Sequence, residues 1–207
     1  MSATLLLVIP AWDYGLRELG PSTEYNSLYL CLRSMGVDVT LYDYLSRYQE
    51  IGREAMNAEL LDAVRKQQPA LVLVSLYTDQ LVPATLDAIR KQTTTVYYAY
   101  DDMWRKPFVD FWAPHFTWVT TSYVHGVENM KARGHDNGIY LSLASNHFLF
   151  AKKDVPKTYD VSFVGMKHPY RAWLIRKLER AGFRVYVRGT GWSGERIAGS
   201  RFRKGRV

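Results

Sequence analysis

Apolar positions along the chain follow two alternating rhythms. Short continuous runs, Thr4–Pro10 (TLLLVIP) and Ala70–Tyr77 (ALVLVSLY), suit strands buried on both faces of a parallel sheet. Val37–Tyr44 (VDVTLYDY) alternates as a strand, and Thr95–Tyr100, Thr117–Thr121 and Ile139–Leu143 continue the series. Between them apolar residues recur at helical spacing. Leu28, Leu32 and Met35 follow the candidate N-cap Ser22 and stop at Gly36, while Met56, Leu60 and Val64 end before Pro69. Pro83 opens a helix carrying Leu86 and Ile89, and another near Val124–Arg133 closes at Gly134. Strands alternating with helices predict an α/β fold, a doubly wound, mostly parallel Rossmann-like sheet over residues 1–150.

The rhythm breaks at AKKDVPKT, residues 151–158, which is charged, interrupted by Pro156 and reads as a linker. It restarts with Tyr159–Gly165 (YDVSFVG), a helix over His168–Gly182 with Trp173 or Leu174, Leu178 and Ala181 on one face, and the strand Phe183–Arg188. Residues 159–207 therefore read as the first βαβ of a second, incomplete Rossmann-like domain, with no apolar periodicity after Gly189. A lone βαβ cannot cover both faces of its sheet. The residues beyond Gly189 are expected to be mobile or packed on a neighbouring molecule.

Composition narrows the class. With 47% hydrophobic and 23% charged residues the chain is globular rather than disordered. No apolar run approaches the roughly 18 residues of a membrane span. Leu5–Pro10 is too short for a signal-peptide core and lacks a basic leader, which predicts a cytoplasmic protein. Cys31, the single cysteine, excludes an internal disulfide and a cysteine metal cluster, and its helical context places it in the core. A net charge of +7 favours anionic partners. Residues 196–207 hold five of the Lys/Arg and no acid, however, so the body is only mildly basic and nucleic acid is not favoured. The basic tail reads as a solvated end or as a contact with a membrane or polyanion.

Ligands of open α/β sheets bind beyond the carboxyl ends of the strands. The loops there bring Asp13, the pair Asp101–Asp102, Trp104, Arg105, His125, His147, Gly165, Lys167 and Arg171 to one rim. Adjacent carboxylates could hold a divalent ion, act as a base or accept from sugar hydroxyls. Alternatively one caps the next turn and the other pairs with Arg105. Strand neighbours point to opposite faces, which argues against a metal. Trp104 offers a ring for stacking, or else packs with Phe108, Phe111, Trp112, Phe116 and Trp118. His125, near a helix start, and His147, after the last strand of the first domain, are cleft candidates or solvent-facing side chains. Gly165, Lys167 and Arg171 sit where a strand turns into a helix. Close backbone approach, free amides and two cations there suit a diphosphate, though a tight turn with solvated cations has the same pattern.

YDVSFVG, followed by Pro169, Arg171 and RGTGW (Arg188–Trp192), together with YAYDDMWR and FTWVTT in the first domain, resembles the spore-maturation CgeB-like glycosyltransferases. The resemblance implies a GT-B architecture, with the acceptor on the first domain and a nucleotide-diphospho-sugar donor on the second. It implies no cofactor or essential metal, and puts Gly165, Lys167 and Arg171 on the donor diphosphate. It also implies that the family's later donor-domain segment has no counterpart before Val207, so that this chain carries only part of a donor site. The acceptor would be a glycan, lipid or protein, and the uncovered βαβ and basic tail offer surfaces for a second copy of the chain or a membrane.

Two other readings use the same residues. YNSLYLCLRSMGVDVTLYDY also resembles the start of cobalamin-binding Rossmann domains, but AWDYGLREL has no histidine two positions after Asp13. A half-protein that recruits a partner through its second-domain edge would bind no nucleotide-sugar.

Overall fold

The structure, a computed structural model, describes residues 4–192. The chain divides into two compact units, Met1–Ala151 and Lys152–Val207.

Unit 1 is built on six parallel strands: β1 (Leu5–Val8), β2 (Val39–Tyr42), β3 (Leu71–Val74), β4 (Thr94–Tyr97), β5 (Trp118–Thr121) and β6 (Gly138–Tyr140), in the order β2-β1-β3-β4-β5-β6. Five helices connect them: α1 (Leu30–Ser34), entered through a π-helical turn at Tyr25–Tyr29, α2 (Tyr44–Gln67), α3 (Pro83–Arg90), α4 (Lys106–Trp112) and α5 (Gly126–Ala132). Parallel crossovers are right-handed. The step from β1 to β2 runs one way along the sheet and every later step runs the other, so α1 falls on one face and α2 to α5 on the opposite one.

Alternation within β1 feeds both layers. Leu6 and Val8 join Met56, Leu60, Leu86, Ile89, Trp112 and Met130 in the larger core, while Leu7 and Ile9 meet Val39, Leu28 and Leu32 beneath α1. Leu6, Leu7, Val8 and Ile9 are all buried, each contributing about 1.5–3 kcal/mol of transfer free energy. After β6 the chain returns to the α1 side, where the buried Asn146 donates from Nδ2 to the Asn26 carbonyl at 2.7 Å.

The helices differ from expectation in three places. The predicted strand Val37–Tyr44 ends at Tyr42, because Asp43 accepts from the Ser46 amide (3.3 Å) and caps α2. α2 is interrupted at Gly52, whose φ of 80° is left-handed. α4 was not anticipated: Pro107 opens it, and Val109 and Trp112 bury while Phe111 stays exposed. Met35 is exposed and Cys31 only half-buried, since Leu28, Tyr29 and Leu32 take the face that packs on the sheet.

Unit 2 contains a parallel pair, β7 (Val161–Val164) and β8 (Val185–Arg188), joined by α6 (Pro169–Arg180). Ala172, Ile175 and Leu178 of α6 pack on Val161, Phe163, Val185 and Val187 with Trp192. The other sheet face carries Ser162, Val164, Tyr186 and Arg188, and Val164 is exposed. Of the residues beyond Gly189, expected to be mobile or packed on a neighbouring molecule, Trp192 is instead buried in this core, and residues 193–207 lie outside the described residues.

Candidate functional site

The strand order reverses at β1, which has β2 on one side and β3 on the other. The loops after β1 and β3 therefore leave towards opposite faces and open a crevice between them, the usual ligand position in an open parallel sheet. A cavity of about 500 Å³ lies there. Its walls are Trp12, Asp13 and Tyr14 after β1, Ser22 and Glu24 at the start of the first helix, Ser75 and Tyr77 after β3, and Tyr100, Asp101 and Arg105 after β4.

Local hydrogen bonds hold these loops in place. The Asp13 amide donates to the Gly20 carbonyl at 2.9 Å, Trp12 bridges Pro21, and Gln49 Nε2 donates to the Gly15 carbonyl at 3.2 Å. Asp101 turns the other loop, its carbonyl accepting from the amides of Trp104 (2.8 Å) and Arg105 (2.9 Å). Among the described residues three non-glycines have positive φ, and two of them, Tyr14 (50°) and Asp101 (55°), line this cavity. Such backbone costs of order 1–3 kcal/mol each and concentrates at functional sites.

Glu24 is the residue that pattern reading passes over. Ser22 accepts from the Tyr25 amide (2.9 Å) and donates to the Pro10 carbonyl (2.6 Å), which fixes the helix start against the end of β1. Glu24 is thereby drawn into the cavity wall, where Ser75 Oγ donates to its Oε1 at 3.2 Å. Burial raises the Glu24 carboxyl above its ordinary value, Asp13 adds to the rise, and the hydrogen bonds moderate it. In sequence Glu24 looks like an acid favoured by the helix dipole. The signal available was its place in the first turn of the helix that follows the first strand.

The sequence-derived candidates separate. Asp13, Asp101 and Arg105 line the cavity. Asp102 does not: it is 5% exposed and accepts from Thr121 Oγ1 at 2.6 Å, tying the β4–α4 loop to the end of β5. Thr121 in turn lies against Gly126, where an added Cβ would fall 1.9 Å from its Oγ1. Arg105 pairs with neither aspartate; it donates to the Tyr77 carbonyl at 2.8 Å and stacks on Phe108 at 3.9 Å. Trp104 is 88% exposed, outside the cluster formed by Phe108, Phe111, Trp112 and His115. His125 is exposed beside Glu128, and His147 is exposed against Phe148, neither of them on the cavity.

In unit 2 the candidates do converge. Gly165, Lys167 and Arg171 share the turn from β7 into α6, whose N-terminus has no side-chain cap. Arg171 Nη1 donates to the Met166 carbonyl at 2.8 Å and lies over the Phe163 ring. Lys167 is half-buried, and its amide donates to the Thr190 carbonyl at 2.9 Å. RGTGW is the other half of the turn. Trp192, fully buried, donates from Nε1 to the Gly165 carbonyl at 2.8 Å. A Cβ on Gly189 (φ 129°) would lie 2.3 Å from that same carbonyl oxygen, so only glycine fits.

Among the described residues no group of three or more His, Cys, Asp or Glu is placed to hold a metal ion, and no helix is long and apolar enough to cross a membrane.

Unit 1 is thus a Rossmann-like domain with a crevice at its switch point. Its six-stranded parallel sheet carries helices on both faces, the doubly wound arrangement expected from the sequence. Among solved structures the chain is similar to an S. aureus MnaA–UDP co-structure, at 9% identity and a TM-score of 0.53 over 97% of this chain and 67% of that one. It is also similar to the glycosyltransferase SnogD from Streptomyces nogalater, at 15% identity and a TM-score of 0.45 over 97% and 72%. A third is Glycyrrhiza uralensis UGT73P12 complexed with glycyrrhetinic acid 3-O-monoglucuronide, at 8% identity and 0.49 over 99% and 64%. At these identities the likeness is one of fold. No family model matches the sequence, and no curated protein matches it.

Proposed function

We propose that the chain belongs to a CgeB-like, metal-independent GT-B glycosyltransferase, which transfers a sugar from a nucleotide-diphospho-sugar to an acceptor hydroxyl. The observation that carries the reading is the switch-point crevice of unit 1, where Glu24, Asp13 and Asp101 meet around a ligand-sized space. Glu24 is the preferred base because burial strengthens its hold on a proton. As the acceptor oxygen bonds to the anomeric carbon, its proton passes to Glu24, and the bond from that carbon to the diphosphate oxygen breaks. Negative charge then grows on the diphosphate. Within unit 2, Lys167, Arg171 and the uncapped amides of α6 form a positive field of the kind that holds a diphosphate. The MnaA structure holds UDP, which agrees with a nucleotide diphosphate as the ligand of this fold.

The test is a thermal-shift and transfer screen of the full chain against nucleotide-sugars. A donor at 100 times its dissociation constant is expected to add about 2.7 kcal/mol of stability. If no nucleotide-sugar or nucleoside diphosphate shifts the melting curve, the reading fails.

A further inference from the structure

We infer that the crevice of unit 1 takes an uncharged, hydroxyl-rich sugar, so that the acceptor is itself a glycan. The inference rests on the transferase reading only for the word acceptor; the binding claim stands on the cavity.

Its walls combine two chemistries. Trp12, Tyr14, Tyr77 and Tyr100 offer ring surface, with Tyr14 and Tyr77 meeting edge to face at 5.7 Å. Asp13, Glu24 and Asp101 offer carboxyl oxygens. An ionised carboxylate only accepts hydrogen bonds, so the ligand must bring several donors. It also brings apolar faces, because aromatic surface gains from contact with C–H. A sugar ring presents hydroxyl donors around its rim and C–H patches on its faces. Among the described residues the one cation on the wall, Arg105, is already held by the Tyr77 carbonyl and the Phe108 ring. Three acids against one engaged cation repel phosphate and carboxylate ligands, which separates this crevice from the cationic turn of unit 2. A volume of about 500 Å³ lies within the range of small-molecule sites. Two left-handed non-glycine residues, Tyr14 and Asp101, are held on this wall by surrounding hydrogen bonds, as expected of a shape kept for a ligand.

Saturation-transfer NMR on the full chain, with neutral mono- and disaccharides beside a uronic acid, a sugar phosphate and an amino sugar, tests the inference. Neutral sugars are expected to bind, and the two anionic sugars to bind about tenfold more weakly or not at all. Glu24→Gln should weaken the neutral sugar about tenfold. Tyr14→Gly should weaken it about two- to tenfold while leaving the melting temperature unchanged or raised, because glycine tolerates the positive φ. Binding of anionic sugars as tightly as neutral ones, an amino sugar preferred by more than tenfold, or unchanged binding in both variants overturns it. Sugars bound here but never glycosylated keep the inference and remove the transferase reading. Transfer onto a non-sugar acceptor does the reverse.

Discussion

The two candidate sites are opposites in both charge and construction. The unit 1 crevice is acidic and aromatic, and its chemical groups come from three loops and a helix start spread between Trp12 and Arg105. The unit 2 turn is cationic and local, with Gly165, Lys167 and Arg171 inside seven residues and clasped by Gly189 and Trp192. The first gains its shape from topology, because a reversed strand order opens a gap whatever the loop sequence. The second gains its shape from glycine and one indole hydrogen bond. An acidic site repels the diphosphate that a cationic one attracts, and on the proposed transferase reading this difference puts acceptor and donor on different units.

The largest effect that sharpens the contrast is on turnover. Glu24→Gln in the active protein is expected to lower kcat about 10²- to 10⁴-fold with donor affinity intact. Asp13→Asn and Asp101→Asn, at the same wall, should cost less. Equal turnover in all three variants would break the assignment of base chemistry to unit 1.

On the donor side, Arg171→Ala is expected to weaken nucleoside diphosphate binding about tenfold to a hundredfold without altering sugar binding in the crevice. Titration calorimetry with both ligands separates these outcomes.

Effects on folding come next. Gly189→Ala places a methyl group against the Gly165 backbone at a positive φ, so a loss of about 1–3 kcal/mol in unit 2 is expected by denaturant unfolding. Gly126→Ala, crowding Thr121 and its bond to Asp102, is expected to cost a similar amount in unit 1. A neutral result at Gly189 would show that the clasp gives way.

The smallest effect is the pH dependence of stability. The folded Glu24 binds its proton more tightly than the unfolded chain does. Its contribution is therefore fully present below the ordinary glutamate value of 4.5 and is lost as pH rises through the raised one. Glu24→Gln should remove that fall, so its melting temperature relative to the parent rises between acidic and neutral pH. A difference independent of pH would contradict the raised proton affinity.

How far the sequence reaches differs between the two regions for the same physical reasons. Continuous apolar runs made β1 and β3 legible, since a strand buried on both faces has no polar position to blur it. α4 was hidden because six aromatic residues around it mask any helical period, and only the contacts of Val109 and Trp112 choose the buried face. The first turns of α2 were hidden because VDVTLYDY alternates through Tyr44, while the Asp43 cap acts through one local hydrogen bond. The unit 2 turn was legible because its groups are close in sequence. The crevice was half legible: Asp13, Asp101 and Arg105 stood out at strand ends, Asp102 did not separate from its neighbour, and Glu24 was masked by its helix-start position. Sequence alone could not show that Trp104 stands clear of the aromatic cluster.

The central claim is that nucleotide and sugar occupy separate units. Isothermal titration of UDP into the full chain, Arg171→Ala and Glu24→Gln tests it most directly. UDP is expected to bind the parent and Glu24→Gln alike and to lose about tenfold or more in affinity for Arg171→Ala. UDP affinity that falls in Glu24→Gln, or that survives intact in Arg171→Ala, would place the nucleotide in the acidic crevice and contradict the division.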